Sequence, residues 1–280
     1  MDFIAKLEAA QDRNRSLLCV GLDPQPGKLP AACRSQAQPF LAFNQEIIQA
    51  TADLVCAYKP QIAHYAAVGA EAELVATIAF LRENYPEIPV ILDAKRGDIG
   101  STAARYADEA FVRYQADAVT VNPYLGGDTL EPFLSWRDKW VVILCRTSNP
   151  GSGELQGLEV DGKPLYLKVA QLAAGKWNDN RNVLLVVGAT WPGEIAQVRD
   201  VVGEMPLLIP GIGAQGGDLE AVLKAGLDRR GCGLVINSSR GIIYAGSEPD
   251  FKLGVRAAAV ALRAEINRLC SRLRGCGQGD

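Results

Sequence analysis

In the stretch LDAKRGDIGSTA, Leu92–Ala103, two acids and two bases fall close together: Asp93, Lys95, Arg96 and Asp98. The apolar run Val90–Leu92 leads straight into them. Asp93 and Lys95 are two apart, so on an extended strand their side chains share a face. Asp98 follows Gly97 and belongs to the loop or to the start of the next helix, where Ser101 or Thr102 can cap. It would then reach outward. An Asp93–Lys95 ion pair could simply close a strand end, because buried charges are costly unless paired. Lys59, just after another apolar run, adds a second cation. An alternating set Lys59–Asp93–Lys95–Asp98 at one opening is harder to explain by stability, and such clusters in clefts favour function.

A second set of residues suits an anion. The segments PGIGAQGG, Pro210–Gly217, and SSRG, Ser238–Gly241, are glycine-rich turns after apolar runs. Such turns leave backbone N–H groups free to face an anion. Arg240 adds a cation with a bidentate fork. The glycines could also serve only tight turns. Asp23, in GLDP, ends a third apolar run.

Other reactive types offer less. His64 is the only histidine, and a structural role is expected for it, which argues against histidine-based catalysis or a histidine-rich metal site. The seven cysteines are odd in number and lack both CxxC and zinc-site spacing. Cys19, Cys56 and Cys145 lie within apolar runs, where a free thiol acts as a small hydrophobe. Trp136, Trp140, Trp177 and Trp191 read as core or rim packing.

The elements that must carry these residues alternate along the chain. Eight apolar, β-branched runs read as strands: Leu17–Leu22, Leu54–Tyr58, Val90–Leu92, Ala118–Val121, Val141–Cys145, Val183–Val187, Leu207–Ile209 and Gly233–Ile236. Most are continuously apolar, as in a parallel sheet buried on both faces. Helical spacing predicts helices over Phe40–Thr51, Ala70–Asn84, Ser101–Gln115, Leu165–Trp177, Asp218–Ala225 and Leu253–Leu273. This alternation predicts an α/β fold, a (β/α)8 TIM barrel, with Asp2–Arg13 as an extra N-terminal helix. An open doubly wound sheet is the main alternative. With no linker or repeat in sight, residues 1–280 read as a single domain. In a barrel the functional face lies at the C-terminal strand ends, where Asp23, Lys59, Asp93, Lys95 and Arg240 all fall.

The 280 residues carry a net charge of -3, which argues against nucleic-acid binding but not against one phosphate pocket. Asp2, Lys6 and Glu8 interrupt any leader-like apolar stretch. No run is long and apolar enough for a membrane helix. A soluble cytoplasmic protein in a reducing compartment is expected.

The motif DAKRGDIGSTA resembles the D-x-K-x-x-D signature of the orotidine 5'-phosphate decarboxylase family. The likeness covers most of the chain. GLDP resembles the family's first-strand ending, YKP at Tyr58–Pro60 its second-strand lysine, and TSNPG at Thr147–Gly151 the loop whose serine touches the pyrimidine. PGIGAQGGD resembles its phosphate-closing loop, and SSRGIIYA ends in its phosphate arginine. RGDIGST and the long Gly151–Pro164 segment are similar to a longer bacterial subgroup. The resemblance implies a carboxy-lyase that converts orotidine 5'-monophosphate to uridine 5'-monophosphate and carbon dioxide, the last step of de novo pyrimidine nucleotide synthesis. It implies neither metal nor organic cofactor. Lys95 would stabilise and protonate the C6 carbanion, with Asp93 and Asp98 keeping it charged. Lys59 would hold Asp93 and a ribose hydroxyl, and Asp23 another hydroxyl. Ser148 and Gln215 would close over pyrimidine and phosphate, and Arg240 would bind the phosphate. Asp98 and Thr102 would complete the neighbouring subunit's site, so a homodimer is implied. The bare D-x-K-x-x-D core also resembles magnesium-dependent sugar-phosphate decarboxylases and aldolases. A non-catalytic nucleotide-phosphate sensor is the alternative of another class.

Overall fold

A computed structural model describes residues 3–212 and 218–275. Eight parallel strands form the centre: β1 Leu18–Leu22, β2 Ala57–Pro60, β3 Ile91–Arg96, β4 Ala118–Val121, β5 Trp140–Arg146, β6 Val183–Val187, β7 Leu207–Pro210 and β8 Leu234–Ser238. Their order is β2-β1-β8-β7-β6-β5-β4-β3. Parallel bridges Tyr58↔Val90 and Gln61↔Asp93 join β2 to β3. The sheet therefore closes on itself, and the open doubly wound alternative is excluded.

Among the described residues, besides four helices of four or five residues, the helices are α1 Phe3–Asn14, α2 Pro39–Thr51, α3 Glu71–Asn84, α4 Gly100–Asp108, α5 Glu131–Leu134, α6 Leu165–Ala174, α7 Pro192–Val202, α8 Leu219–Gly226 and α9 Phe251–Gly275. Strand residues alternate between two cores. One set, with Leu18, Val20, Tyr58, Leu92, Val119 and Ile143, packs outward against the helices. The other, with Cys19, Ala57, Ile91, Ala118, Val142, Leu184, Leu208 and Val235, fills the barrel. The extra helix α1 plugs the lower end: Phe3 and Leu7 join the inner set, and the Phe3 and Trp140 rings lie 5.6 Å apart. With the bottom sealed, the C-terminal mouth is where polar inward-facing residues gather.

The structure shifts several expected boundaries. β2 starts at Ala57, because Ala52–Leu54 form a 3-10 turn that finishes α2. β3 runs on to Arg96, so Asp93 and Lys95 are strand residues. The helix expected over Ser101–Gln115 is α4 followed by a π turn, Glu109–Arg113. Ser101 and Thr102 lie inside the first turn of α4; the cap position is Ile99, whose side chain makes no capping bond. The helices α5 and α7 lie outside those that the spacing predicts.

Candidate active site

Asp93 is the hub of the mouth. It is 7% exposed. Lys59 Nζ lies 2.8 Å from its Oδ2, and Lys95 Nζ lies 2.6 Å from its Oδ1. Gln61 Nε2 donates to Oδ2 at 3.1 Å, and Thr120 Oγ1 donates to Oδ1 at 2.9 Å. The four partners come from β2, the residue after it, β3 and β4. Burial pushes the Asp93 carboxyl up, but the Lys59 and Lys95 charges more than reverse this and hold it well below the usual carboxylate range. Burial likewise pushes Lys59 down, and the charges of Asp93 and Asp23 carry it above the usual lysine range. Asp93 and Lys59 are therefore both charged throughout the neutral range.

Lys95 reaches Asp93 by a strained route. Its φ is +48°, a conformation costing a non-glycine residue about 1 kcal/mol or more. The β3–β4 ladder shifts register between Leu92 and Arg96. Thr120 Oγ1 takes up the displaced backbone, accepting from Ala94 N and Lys95 N at 2.9 Å each. The turn aims the ammonium back over Asp93 while the side chain stays 46% exposed. One face of this ammonium is fixed by a carboxylate and the other is open to a ligand.

Asp23 stands half-buried after β1, and its Oδ1 is buried with no hydrogen-bond partner among the described residues. A buried, unsatisfied carboxylate oxygen invites a donor from a ligand. Gly21 leaves room beside it: a Cβ there would stand 2.7 Å from Ser239 Cβ. Tyr244 OH bridges the two rims, accepting from Gln25 N at 2.7 Å and donating to Asp23 O at 3.3 Å. Arg240 is exposed at the start of a one-turn helix, Arg240–Ile243, directly after β8. Ser148 lies half-buried after β5.

Asp98 points elsewhere. Its Oδ1 accepts from Ile99 N at 2.8 Å, and no ion pair joins it to Lys95 among the described residues. Thr102 is exposed one turn on, and Ile99 is 63% exposed between them. Gln215 lies outside the described residues, as do Gly213, Ala214, Gly216 and Gly217. His64 Nδ1 sits 3.2 Å from Pro24 O on a short helix, in keeping with a structural role. Burial pushes the Cys19 and Cys145 thiols up to about 12, so neither supplies a thiolate at neutral pH.

The orotidine 5'-phosphate decarboxylase / HUMPS family model matches residues 16–252. The chain belongs to this family. It is 57% identical over 269 residues to the orotidine 5'-phosphate decarboxylase of Cellvibrio japonicus, covering 95% of this chain and 98% of that one. It is 57% identical over 267 residues to the enzyme of that name from Dechloromonas aromatica, covering 95% and 99%. The solved structure of Leishmania donovani OMP decarboxylase superposes with a TM-score of 0.85 at 43% identity, covering 96% of this chain and 99% of that one.

Several residues of this family member escaped the motif. Thr120 and Gln61 hold Asp93 but carry no charge, so only their place beside the motif strands could have flagged them. Asn237 ends the inward row of β8; it is 7% exposed and its Oδ1 has no partner among the described residues. An amide directly after the apolar run Gly233–Ile236 was its one visible signal.

Proposed function

We propose that the chain decarboxylates orotidine 5'-monophosphate to uridine 5'-monophosphate. The observation that carries this reading is the Lys59–Asp93–Lys95 chain of alternating charge at the barrel mouth. The C6–carboxylate bond breaks, carbon dioxide leaves, and the bonding pair stays on C6. The Lys95 ammonium stands over that carbon, stabilises the negative charge, and transfers a proton to it. Lys95 then regains a proton from water. Asp93 keeps Lys95 aimed and faces the departing carboxylate. Lys59 and the unsatisfied Asp23 receive ribose hydroxyls. Arg240 binds the phosphate, with Gln215 closing over it and Ser148 meeting the pyrimidine. Remote phosphate binding then contributes to the reaction as well as to affinity. The 57% identical relatives of the same name support this reading over a magnesium-dependent sugar-phosphate reaction.

The test uses purified protein, orotidine 5'-monophosphate and EDTA, followed by loss of the orotate absorbance. Turnover unaffected by the chelator is expected. Consumption of a sugar phosphate that EDTA stops would instead place the chain with the magnesium-dependent branch. Nucleotide binding with no turnover would make it a sensor.

The outward Asp98 and Thr102, beside exposed Ile99, Tyr124 and Leu125, support a homodimer in which they complete the neighbour's site. Mixing inactive Lys95→Ala and Asp98→Ala chains is expected to restore about a quarter of wild-type activity, because half the dimers are mixed and each then carries one intact site. No recovery after subunit exchange would refute the shared site. No helix among the described residues is long and apolar enough to cross a membrane. Free, buried cysteines fit a cytoplasmic enzyme, and residues 1–280 are read as one barrel domain.

A further inference from the structure

The segment Gly151–Pro164 is more than an excursion from the barrel. It holds a one-turn helix, Gly153–Gln156, and a small antiparallel hairpin pairing Glu159 with Pro164 and Val160 with Lys163. Two side chains from its start, Ser152 and Gln156, turn back to Arg146, the last residue of β5. Arg146 is 5% exposed, an unusual place for a cation that the catalytic cluster does not use. All three nitrogens of its guanidinium are engaged. Nε and Nη2 meet the two carboxylate oxygens of Glu194, in the first turn of α7, the latter at 3.3 Å. Nη1 donates to Ser152 Oγ and, at 3.4 Å, to Gln156 Oε1. The rings of Tyr166 and Trp191 lie 5.8 and 5.9 Å from its central carbon.

Gln156 carries this network to the loop that follows β5. Its Oε1 accepts from Thr147 N at 2.8 Å, and its Nε2 donates to Thr147 Oγ1 at 2.9 Å. Thr147 Oγ1 donates in turn to Asn149 Oδ1 at 2.7 Å. Both neighbours of Ser148 are thereby tied down. From the other side, Gly188 presses on Ser148 itself: a Cβ at 188 would stand 2.7 Å from Ser148 N and from Ser148 Cβ. Thr190 Oγ1 donates to Ser148 O at 3.3 Å. The Ser148 backbone is held from two directions, while its hydroxyl has no partner among the described residues.

We propose that Arg146, with Glu194 and Gln156, forms a clamp that positions Ser148 for the pyrimidine, and that the Gly151–Pro164 segment contributes to the reaction by completing it. This rests on the reading of Ser148 as a pyrimidine contact. A buried cation is costly unless paired and hydrogen-bonded, and here every partner lies on an element that borders the Ser148 loop. The clamp orders that loop before substrate arrives, so binding does not have to order it. Arg146 touches no substrate; it is a positioning residue.

The experiment is a double-mutant cycle in the full chain, read as kcat and KM for orotidine 5'-monophosphate alongside melting temperature. Gln156→Ala, Arg146→Met and, from the opposite side, Gly188→Ala are each combined with Ser148→Ala. Alone, each is expected to lower kcat/KM about tenfold or more, the size of one lost hydrogen bond to the reacting complex. In the Ser148→Ala background the further loss shrinks to about twofold or less, because the residue they position is gone. A merely structural role would lower the melting temperature and leave the losses multiplicative. If Arg146→Met does not fold, Gln156→Ala and Gly188→Ala complete the cycle, because both leave the buried ion pair in place. Multiplicative losses in an active chain would overturn the clamp alone. A folded wild-type chain without turnover would overturn both the clamp and the decarboxylase reading beneath it.

Discussion

Replacing Lys95 by alanine is expected to lower kcat for orotidine 5'-monophosphate by a factor on the order of 10⁵, with the fold intact. Two contributions multiply. Loss of a positioned proton donor costs about 10²–10⁴. Loss of a preorganised charge beside the developing carbanion costs about another 10²–10³. Stability should hardly move. The Lys95 side chain is 46% exposed, and pairs of that kind contribute roughly 1 kcal/mol or less. Asp93 keeps Lys59, Gln61 and Thr120 as partners. Lys95→Arg separates the two contributions: it retains a charge but not a group that gives up its proton near neutral pH. It should therefore remain far below wild type. Single-turnover loss of the orotate absorbance, with a thermal melt of each variant, makes the comparison. A folded Lys95→Ala chain within about tenfold of wild type would remove Lys95 from the chemistry.

The barrel was largely legible because burial on both faces leaves a plain mark. Ala118–Val121 and Val183–Val187 are strands as read. Elsewhere apolar runs reported burial rather than ladder position. Leu54 and Val55 are buried but precede β2. At β3 the apolar run Val90–Leu92 stops short of the end of the strand, which lies at Arg96. The strand continues through Asp93 and Lys95 because the charges pair with each other and with Lys59. α7 was hidden by its own core-facing cation. Arg199 is 8% exposed and donates to the carbonyls of Gly203, Met205, Gly226 and Gly233, so a charge interrupts the buried face that Ile195, Val198 and Val202 otherwise form. In the site, the charged residues could be named from spacing, whereas Thr120, Gln61 and the Arg146 clamp could not. Their partners are on other strands and loops, and a cross-strand partnership has no local period.

Asp93→Asn is expected to damage stability and activity together, and the stability loss should depend on pH in a defined direction. In the wild type, the Asp93 carboxyl is held low and the Lys59 ammonium is held high. A depressed acid contributes stability that is complete above its unfolded pKa and is lost as pH falls through the folded value. A raised base contributes stability that is complete below its unfolded pKa and is lost as pH rises through the folded value. The pair is thus at full strength from about pH 5 to pH 9. The substitution leaves Lys59, 4% exposed, with only the more remote charge of Asp23. Removing one partner of a buried pair costs about 3–5 kcal/mol, or roughly 5–10 °C in melting temperature for a chain of this size. Burial now dominates at Lys59, and its folded pKa drops below the unfolded one. The unfolded chain then binds more protons, so stability rises with pH. The deficit relative to wild type should therefore be large at pH 7 and narrow toward pH 10. Lys95 loses its Oδ1 carboxylate in the same step, and kcat is expected to fall about 10³-fold. Thermal melts of both proteins from pH 6 to pH 10 carry the test. A deficit that stays constant across that range would show that Lys59 does not depend on Asp93 for its charge, and that the hub of the mouth has been misassigned.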